Sequence, residues 1–236
     1  MRRMFLLITV AMFCVSIGIA QERVTITTDP RLTARPVSAM IEQLRRGEDV
    51  PVTYEDPRYP RSSDMDERPA VFAFAREEMR GKDAAEATIT RMLREYEGLG
   101  GPTFTVLKEG SRFHVVPIAI LSASGQRIRQ ESVLDTLISV PPAKRNGAQI
   151  LQEICNQIQK QTGYTIDVGV GVPANQLVRY STKDGIENQT ARIALSHLLD
   201  SSSTEGRYVW DLYYDANDKS YGLNFSHIGH SGRIEK

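Results

Sequence analysis

An order of predicted elements that occurs twice is the feature that most limits the fold of this 236-residue chain. The hydrophobic pattern of residues 136–230 predicts a strand, a helix, two strands, a helix and a closing hairpin. Residues 23–117 show the same elements in the same order, with few identical amino acids. We therefore predict the α+β class, with two tandem small β-α-β-β-α-β-β domains that each pack two helices on a small mixed sheet.

The clearest helix signal lies between residues 146 and 163. Asn146 is a suitable N-cap, and Gln149 occupies the position from which a side chain completes a capping box. Gly163 is a suitable end, because glycine readily adopts the left-handed conformation of a helix cap. The apolar residues between them recur at helical spacing, and they are Ile150, Leu151, Ile154 and Ile158.

Weaker signals predict other element boundaries. Gly47 is a left-handed cap for the first helix, and Asp83, followed three positions later by a glutamate, resembles a capping box. In the second half, Thr190 or Asn188 is an N-cap for the last helix. Residues 176–181 have the character of a strand.

The first twenty residues predict a secretory signal peptide. Arg2 and Arg3 form a positive head, an apolar run follows, and Gly18 and Ala20 are small enough for a signal peptidase. Residues 2–6 also resemble a twin-arginine signal, but the general secretory route is the default. An uncleaved anchor is the alternative, although the apolar run is shorter than the ~20 residues of a spanning helix. After cleavage near Ala20 we expect a periplasmic or secreted protein.

The repeat divides the chain into five parts. They are a signal peptide over residues 1–20, a first domain over 21–117, a connector over 118–135, a second domain over 136–230 and a tail over 231–236. A turn signal inside the connector favours a small hairpin there.

Charge, hydropathy and the number of cysteines each limit the class of protein. Lys and Arg number 29, as do Asp and Glu, and a net charge of zero argues against nucleic acid as the main partner. No stretch after residue 20 is long and apolar enough to predict a membrane span in the mature chain. After removal of the predicted signal peptide, Cys155 is the single cysteine, so no internal disulfide can form. Its place beside the apolar stripe of a helix favours burial.

Three runs in the second half resemble the secretin and TonB short N-terminal domain. They are residues 138–141, 147–154 and 161–166, which combine a strand and proline, a helix, and a Thr-Gly stop before an apolar strand. Residues 194–199 are similar to the Ala-Leu-x-x-Leu-Leu helix of that family. The resemblance implies a periplasmic domain that makes protein contacts without catalysis. In the first half, residues 24–54 and the order of elements match.

The sequence predicts no catalytic residue, no cofactor and no metal ligand. His114 alternates within a strand and His197 lies in a helix, so each is expected to be structural or at the surface. His227 and His230 lack the carboxylate or thiol companions that complete a metal site. Nucleophile-elbow, dinucleotide-binding and phosphate-binding motifs are missing from the sequence.

Aromatic residues concentrate near the end of the chain, where Tyr208, Trp210, Tyr213 and Tyr214 form a candidate interaction surface. Alternation places Tyr208 and Trp210 on one face of a strand and Tyr213 on the other. A packed strand is one interpretation. A binding surface is the other, because exposed Tyr and Trp anchor many interfaces, and a buried Trp210 removes the best anchor.

These patterns predict a non-enzymatic exported cell-envelope protein that acts as a protein–protein interaction module, with a protein partner in the envelope. One alternative is an exported hydrolase with a site at the domain boundary, for which His114 must meet carboxylates of the connector. Another is a small-molecule or glycan binder that uses the face of residues 208–214. The sequence predicts no oligomeric state.

Overall fold

The computed structural model describes residues 22–28, 35–59, 70–122, 124–169, 174–203 and 207–228. Within these residues five helices pack on mixed sheets, so the predicted α+β class is confirmed. The predicted signal peptide and the predicted tail over residues 231–236 lie outside the described residues.

The described residues of the first half form two helices and six strands, with a short 3₁₀ helix at Arg76–Met79. In order, the elements are β1 (Arg23–Thr28), α1 (Pro36–Glu48), β2 (Val52–Glu55), β3 (Ala70–Ala75), α2 (Lys82–Gly98), β4 (Thr103–Glu109), β5 (Arg112–Leu121) and β6 (Arg127–Arg129). Strands β5 and β6 form the small hairpin that the connector predicts.

The second half begins with a 3₁₀ helix at Val133–Asp135. Its other elements are β7 (Leu137–Val140), β8 (Arg145–Asn146), α3 (Gly147–Thr162), β9 (Thr165–Val168), α4 (Ala174–Arg179), β10 (Ser181–Thr182), β11 (Ile186–Thr190), α5 (Ala191–Ser202), β12 (Arg207–Asp215) and β13 (Ser220–Ile228). Within the described part of the chain, no helix has both the length and the apolar character needed to cross a membrane.

Local chemistry sets the ends of the helices in the second half. The side chain of Asn146 accepts the N–H of Gln149 at 2.9 Å, and the side chain of Gln149 accepts the N–H of Asn146 at 2.9 Å. Gly163 ends α3 with φ of 77°. Thr190 caps α5 by accepting the N–H of Ile193. These predicted boundaries are confirmed.

Two boundary predictions in the first half are wrong. Helix α1 continues through Gly47, and Asp49 adopts the left-handed cap with φ of 52°. Helix α2 follows Gly81, and no side chain caps its first amides. Asp83 therefore lies within the first turn and does not cap the helix. Its negative charge there interacts favourably with the helix dipole.

The predicted strand over residues 176–181 is wrong, because α4 occupies most of it. Leu177 of α4 is buried against the start of α3. A Cβ atom added to Gly147 would lie 2.8 Å from the carbonyl oxygen of Leu177, so the glycine permits this close approach. Packing against α3 therefore decides the conformation of this segment, overriding its local pattern.

The largest sheet contains strands from both halves of the chain. Its order is β4-β5-β2-β12-β13-β9, and β6 pairs with β5 as the seventh strand. At its centre β2 runs parallel to β12, with Tyr54 opposite Asp211 and Glu55 opposite Leu212. The described ranges also form three two-stranded sheets, which pair β1 with β3, β7 with β11 and β8 with β10. The sheet crosses the predicted connector, and the division into two domains stays a prediction.

The helices of each half pack on one face of this sheet. Because side chains alternate between the two faces, one strand contributes to the cores on both sides. On one side, which we call the α1 face, Tyr54 and Val115 pack in a core with α1 and α2. On the other side, the α3 face, Trp210 and Leu223 pack in a second core with α3 and α5. The result is a layered arrangement in which a shared sheet separates the two pairs of helices.

Candidate functional site

Three buried carboxylates connect the two halves of the chain at the central strands. The first belongs to Asp211 of β12, whose oxygens lie 2.7 and 2.6 Å from Nη1 and Nη2 of Arg45 in α1. The Nε–H of Arg45 donates to the carbonyl oxygen of Val52 in β2 at 2.7 Å. Both charged side chains are almost completely buried, and an unpaired charge there would be costly. The pair therefore fixes α1 against both central strands.

Glu55 carries the second carboxylate, on the α3 face. The Nε–H of Arg192 in α5 donates to Glu55 at 2.7 Å, and its Nη1 donates to Asp135 at 2.5 Å. The hydroxyl of Ser132 also donates to Glu55. Because Ser132 and Asp135 belong to the predicted connector, this network joins β2, α5 and the connector.

Asp56 carries the third carboxylate, directly after β2. It accepts the Nε–H of Arg35 at 2.7 Å, the hydroxyl of Tyr54 at 2.7 Å and the backbone N–H of Tyr214 at 3.1 Å. Burial raises the pKa of Asp56, and the Arg35 guanidinium opposes that change. The N–H of Asp56 donates to the carbonyl oxygen of Leu212 at 2.8 Å, so side chain and main chain both bind β12.

His114 lies between a hydroxyl group and a carboxylate on the α3 face. Its Nδ1 is 2.8 Å from Oγ1 of Thr53, its Nε2 is 3.0 Å from Oε2 of Glu109, and its ring stacks on Trp210. Burial lowers the pKa of His114, although the bond to Glu109 opposes this. Hydroxyl, imidazole and carboxylate in this order resemble a nucleophilic site. Thr53 is completely buried, however, so the arrangement gives a substrate no access to the hydroxyl.

The structure does not join His114 to the connector as the hydrolase alternative requires. Asp135 of the connector bonds to Arg192, and the carboxylate beside His114 is that of Glu109 in β4.

The four aromatic residues predicted as an interaction surface lie mainly inside the protein. Tyr208, Trp210 and Tyr214 are buried, and Trp210 is 0% exposed, because helices cover the α3 face of β12. Tyr213 lies on the α1 face, where its hydroxyl is 2.9 Å from that of Ser38. Burial raises the pKa of Tyr213 to about 12. The prediction of an exposed surface at Tyr208, Trp210 and Tyr214 is therefore wrong. Of the four residues, Tyr213 alone is partly exposed.

Among the described residues, His197, His227 and Cys155 form no reactive group. His197 is exposed on α5 with its Nε2 3.5 Å from Glu109, and His227 is exposed on β13. His230 lies outside the described residues. Cys155 is buried as predicted, and burial raises the pKa of its thiol to about 11, opposite to what a nucleophile needs. The described residues contain no cluster of three or more side chains suited to a metal ion.

Strand β9 lies at an edge of the large sheet and presents backbone polar groups on its outer side. It pairs in parallel with β13, with Val168 opposite Leu223. The N–H of Gly169 donates to the carbonyl oxygen of Leu223 at 2.8 Å. Successive residues direct these groups to opposite sides, so Ile166 and Val168 direct theirs outward. No strand in the described ranges pairs with this outer side.

An apolar pocket of about 220 Å³ opens beside the C-terminal end of β9. Val168 and Val178, which line it, are 40% and 57% exposed, although both are apolar. The other apolar side chains of the pocket come from α3, α4 and β13, and they include Ala148, Leu151, Leu177 and Phe225. The pocket is therefore an accessible apolar surface on the α3 face.

A polar cleft of about 480 Å³ lies on the α1 face of the same strands. It is lined by Tyr213, Tyr214 and the turn between β12 and β13, together with Arg35 and Asp167. The turn contributes the exposed carboxylates of Asp215 and Asp218.

The sequence pattern indicates neither the pocket nor the cleft. It predicts the strand that becomes β9, but the position of a strand within a sheet has no local signal. Valine in a strand or a helix usually indicates a buried position. The sequence therefore contains no signal for the exposure of Val168 and Val178.

Comparisons with known proteins found no match among protein-family models, curated proteins or solved structures. The resemblance of the second half to the secretin and TonB short N-terminal domain stays a prediction. We therefore infer function from the geometry of β9, the pocket and the cleft.

Replacing Asp211 with asparagine is expected to lower the free energy of unfolding by about 3–5 kcal/mol, because the buried Arg45 loses its counter-charge. The measurement is a urea titration followed by fluorescence. Arg46→Ala is the control, since Arg46 is exposed and pairs with Glu42, and it should cost less than about 1 kcal/mol. The double variant Arg45→Met, Asp211→Leu should recover most of the loss. A cost for Asp211→Asn no larger than that of the control would contradict this account.

Stability is expected to fall as the pH drops below 6.5, the ordinary pKa of histidine, partly because of His114. The folded-state pKa of His114 lies below that value, so the unfolded chain takes up a proton that the folded chain does not. The stabilisation is complete above pH 6.5 and is lost as the pH falls toward the folded-state pKa. Urea titrations across this range should give a weaker pH dependence for His114→Gln. Equal slopes in His114→Gln and in the original protein would exclude a role for His114.

Proposed function

We propose that the protein is an exported cell-envelope protein and acts as a protein–protein interaction module. Its partner adds an extended segment to the outer side of β9, so that main-chain hydrogen bonds continue the sheet. The observation that carries this proposal is the position of the apolar pocket directly beside a strand edge that is unpaired within the described residues.

The two features favour the same occupant. Outward N–H and C=O groups such as those of Ile166 and Val168 are a template for a further strand. Burial of apolar surface in the pocket stabilises the complex by roughly 25 cal/mol for each Å² that is removed from water. An extended segment satisfies both, because its backbone pairs with β9 while alternate side chains enter the pocket.

The opposite edge of the sheet, β4, is protected by charge. Lys108 of β4 lies 2.5 Å from Asp83 and 3.6 Å from Glu86 of α2. Lysine along an edge strand is a common means of preventing strand addition. Strand β9 has Asp167 as its single charged residue, so it is the better edge for a partner.

The alternatives have less support. For a glycan or small-molecule binder that uses residues 208–214, the one partly exposed aromatic residue is Tyr213, and the Arg35 guanidinium already lies over its ring at 5.0 Å. For a hydrolase, the hydroxyl and imidazole groups of Thr53 and His114 are buried together without access. Neither arrangement offers a free surface comparable to the one beside β9.

Photo-cross-linking at the pocket tests this proposal. A photoreactive amino acid replaces Val178 at the pocket, or Val71 of β3, which is 58% exposed and belongs to the first half. In envelopes of the source organism, we expect a defined adduct with one protein from position 178 and none from position 71. Val168→Pro should abolish the adduct, because proline lacks the outward N–H and obstructs an added strand.

Val168→Thr is the matched control, since threonine keeps the N–H and nearly the same shape. The adduct should persist in this variant, and urea titrations establish that both variants are folded. An adduct that survives Val168→Pro in the folded protein, or equal adducts from positions 178 and 71, would contradict strand addition at β9.

A further inference from the structure

A strand added to β9 would meet two different surroundings, because successive side chains of a strand point to opposite faces. On the α3 face, its neighbours are Ile166, Val168 and the apolar pocket. On the α1 face, they are Thr165 and Asp167, of which Asp167 lines the polar cleft. The register of β9 against β13 fixes which residues lie on which face.

The cleft on the α1 face carries a net negative charge. Asp167, Asp215 and Asp218 contribute three exposed carboxylates to it. Arg35 is the one basic residue among the described lining residues, and its Nε lies 2.7 Å from a buried carboxylate that compensates its charge. Lys219 belongs to the same turn but does not line the cleft. A basic side chain that follows the added strand therefore enters a favourable potential.

We propose that the partner strand alternates apolar residues with lysine or arginine. This inference rests on the proposed function, since it requires strand addition at β9. The apolar side chains enter the pocket beside α3 and α4, while the basic side chains lie along the carboxylates of the cleft. Apolar burial supplies affinity, and the charges determine which face of the partner strand meets which face of the sheet. A shift of the partner by one residue exchanges its two sets of side chains and is disfavoured on both faces.

Short labelled peptides test this chemistry on the full mature chain. One alternates leucine with lysine, a second leucine with serine, and a third leucine with glutamate. A fourth contains the leucine and lysine residues of the first in two separate blocks. Measured by fluorescence anisotropy at physiological salt, the leucine–lysine peptide should bind at least about tenfold more tightly than the leucine–serine peptide. The glutamate peptide and the block peptide should bind more weakly still.

Two variants locate the effect. Asp167→Asn should reduce the preference for lysine over serine by about threefold or more, because it removes the carboxylate nearest to the added strand. Glu187→Gln removes an exposed carboxylate from β11 and should leave the preference unchanged. Val168→Pro should weaken every alternating peptide, since it blocks the edge itself.

The outcomes separate this inference from the proposed function. The lysine and serine peptides could bind equally well, with both losing affinity in Val168→Pro. This result would overturn the proposal of a basic partner strand and would support strand addition at β9. Binding that is retained in Val168→Pro would contradict strand addition itself. If no peptide binds, the basic strand is overturned, and the dependence of cross-linking on Val168 then decides the function separately.

Discussion

The parallel pairing of β2 with β12 is the contact on which the rest of the structure depends. It joins Tyr54 to Asp211 and Glu55 to Leu212, and it is the pairing that connects strands of the first half with strands of the second half in the large sheet. The same short region provides the buried carboxylates of Asp211, Glu55 and Asp56. Hydrogen bonding and buried charge therefore act at one place.

Buried ion pairs rarely add more stability than apolar residues of the same size, but removing one partner is costly. Their effect here is to define position. Asp211 holds α1 on one face of the sheet, and Glu55 holds α5 on the other. Once β12 is fixed in this way, β13 pairs with β12 and β9 pairs with β13. The open edge that we propose as the partner site therefore lies in the same sheet as this contact, beyond β13.

Local signals made part of this structure predictable. Asn146 and Gly163 bound α3 through their own backbone chemistry, and the apolar stripe between them is buried. The order of strands is different, because Arg45 and Asp211 are 166 residues apart and nothing near either residue identifies its partner. Alternation in β12 showed which residues share a face, but the burial of Trp210 depends on helices elsewhere in the chain. The candidate site could not be predicted for the same reason, since an edge exists only relative to the other strands.

Amide hydrogen exchange at Asp56 tests most directly whether the two halves form one sheet. Its N–H donates to the carbonyl oxygen of Leu212 across the join at 2.8 Å. If the shared sheet is a single cooperative unit, this amide exchanges only through global unfolding, as slowly as the amides of β5. Rapid exchange at Asp56, with the helices of both halves still protected, would show that the halves separate in solution and would contradict the account.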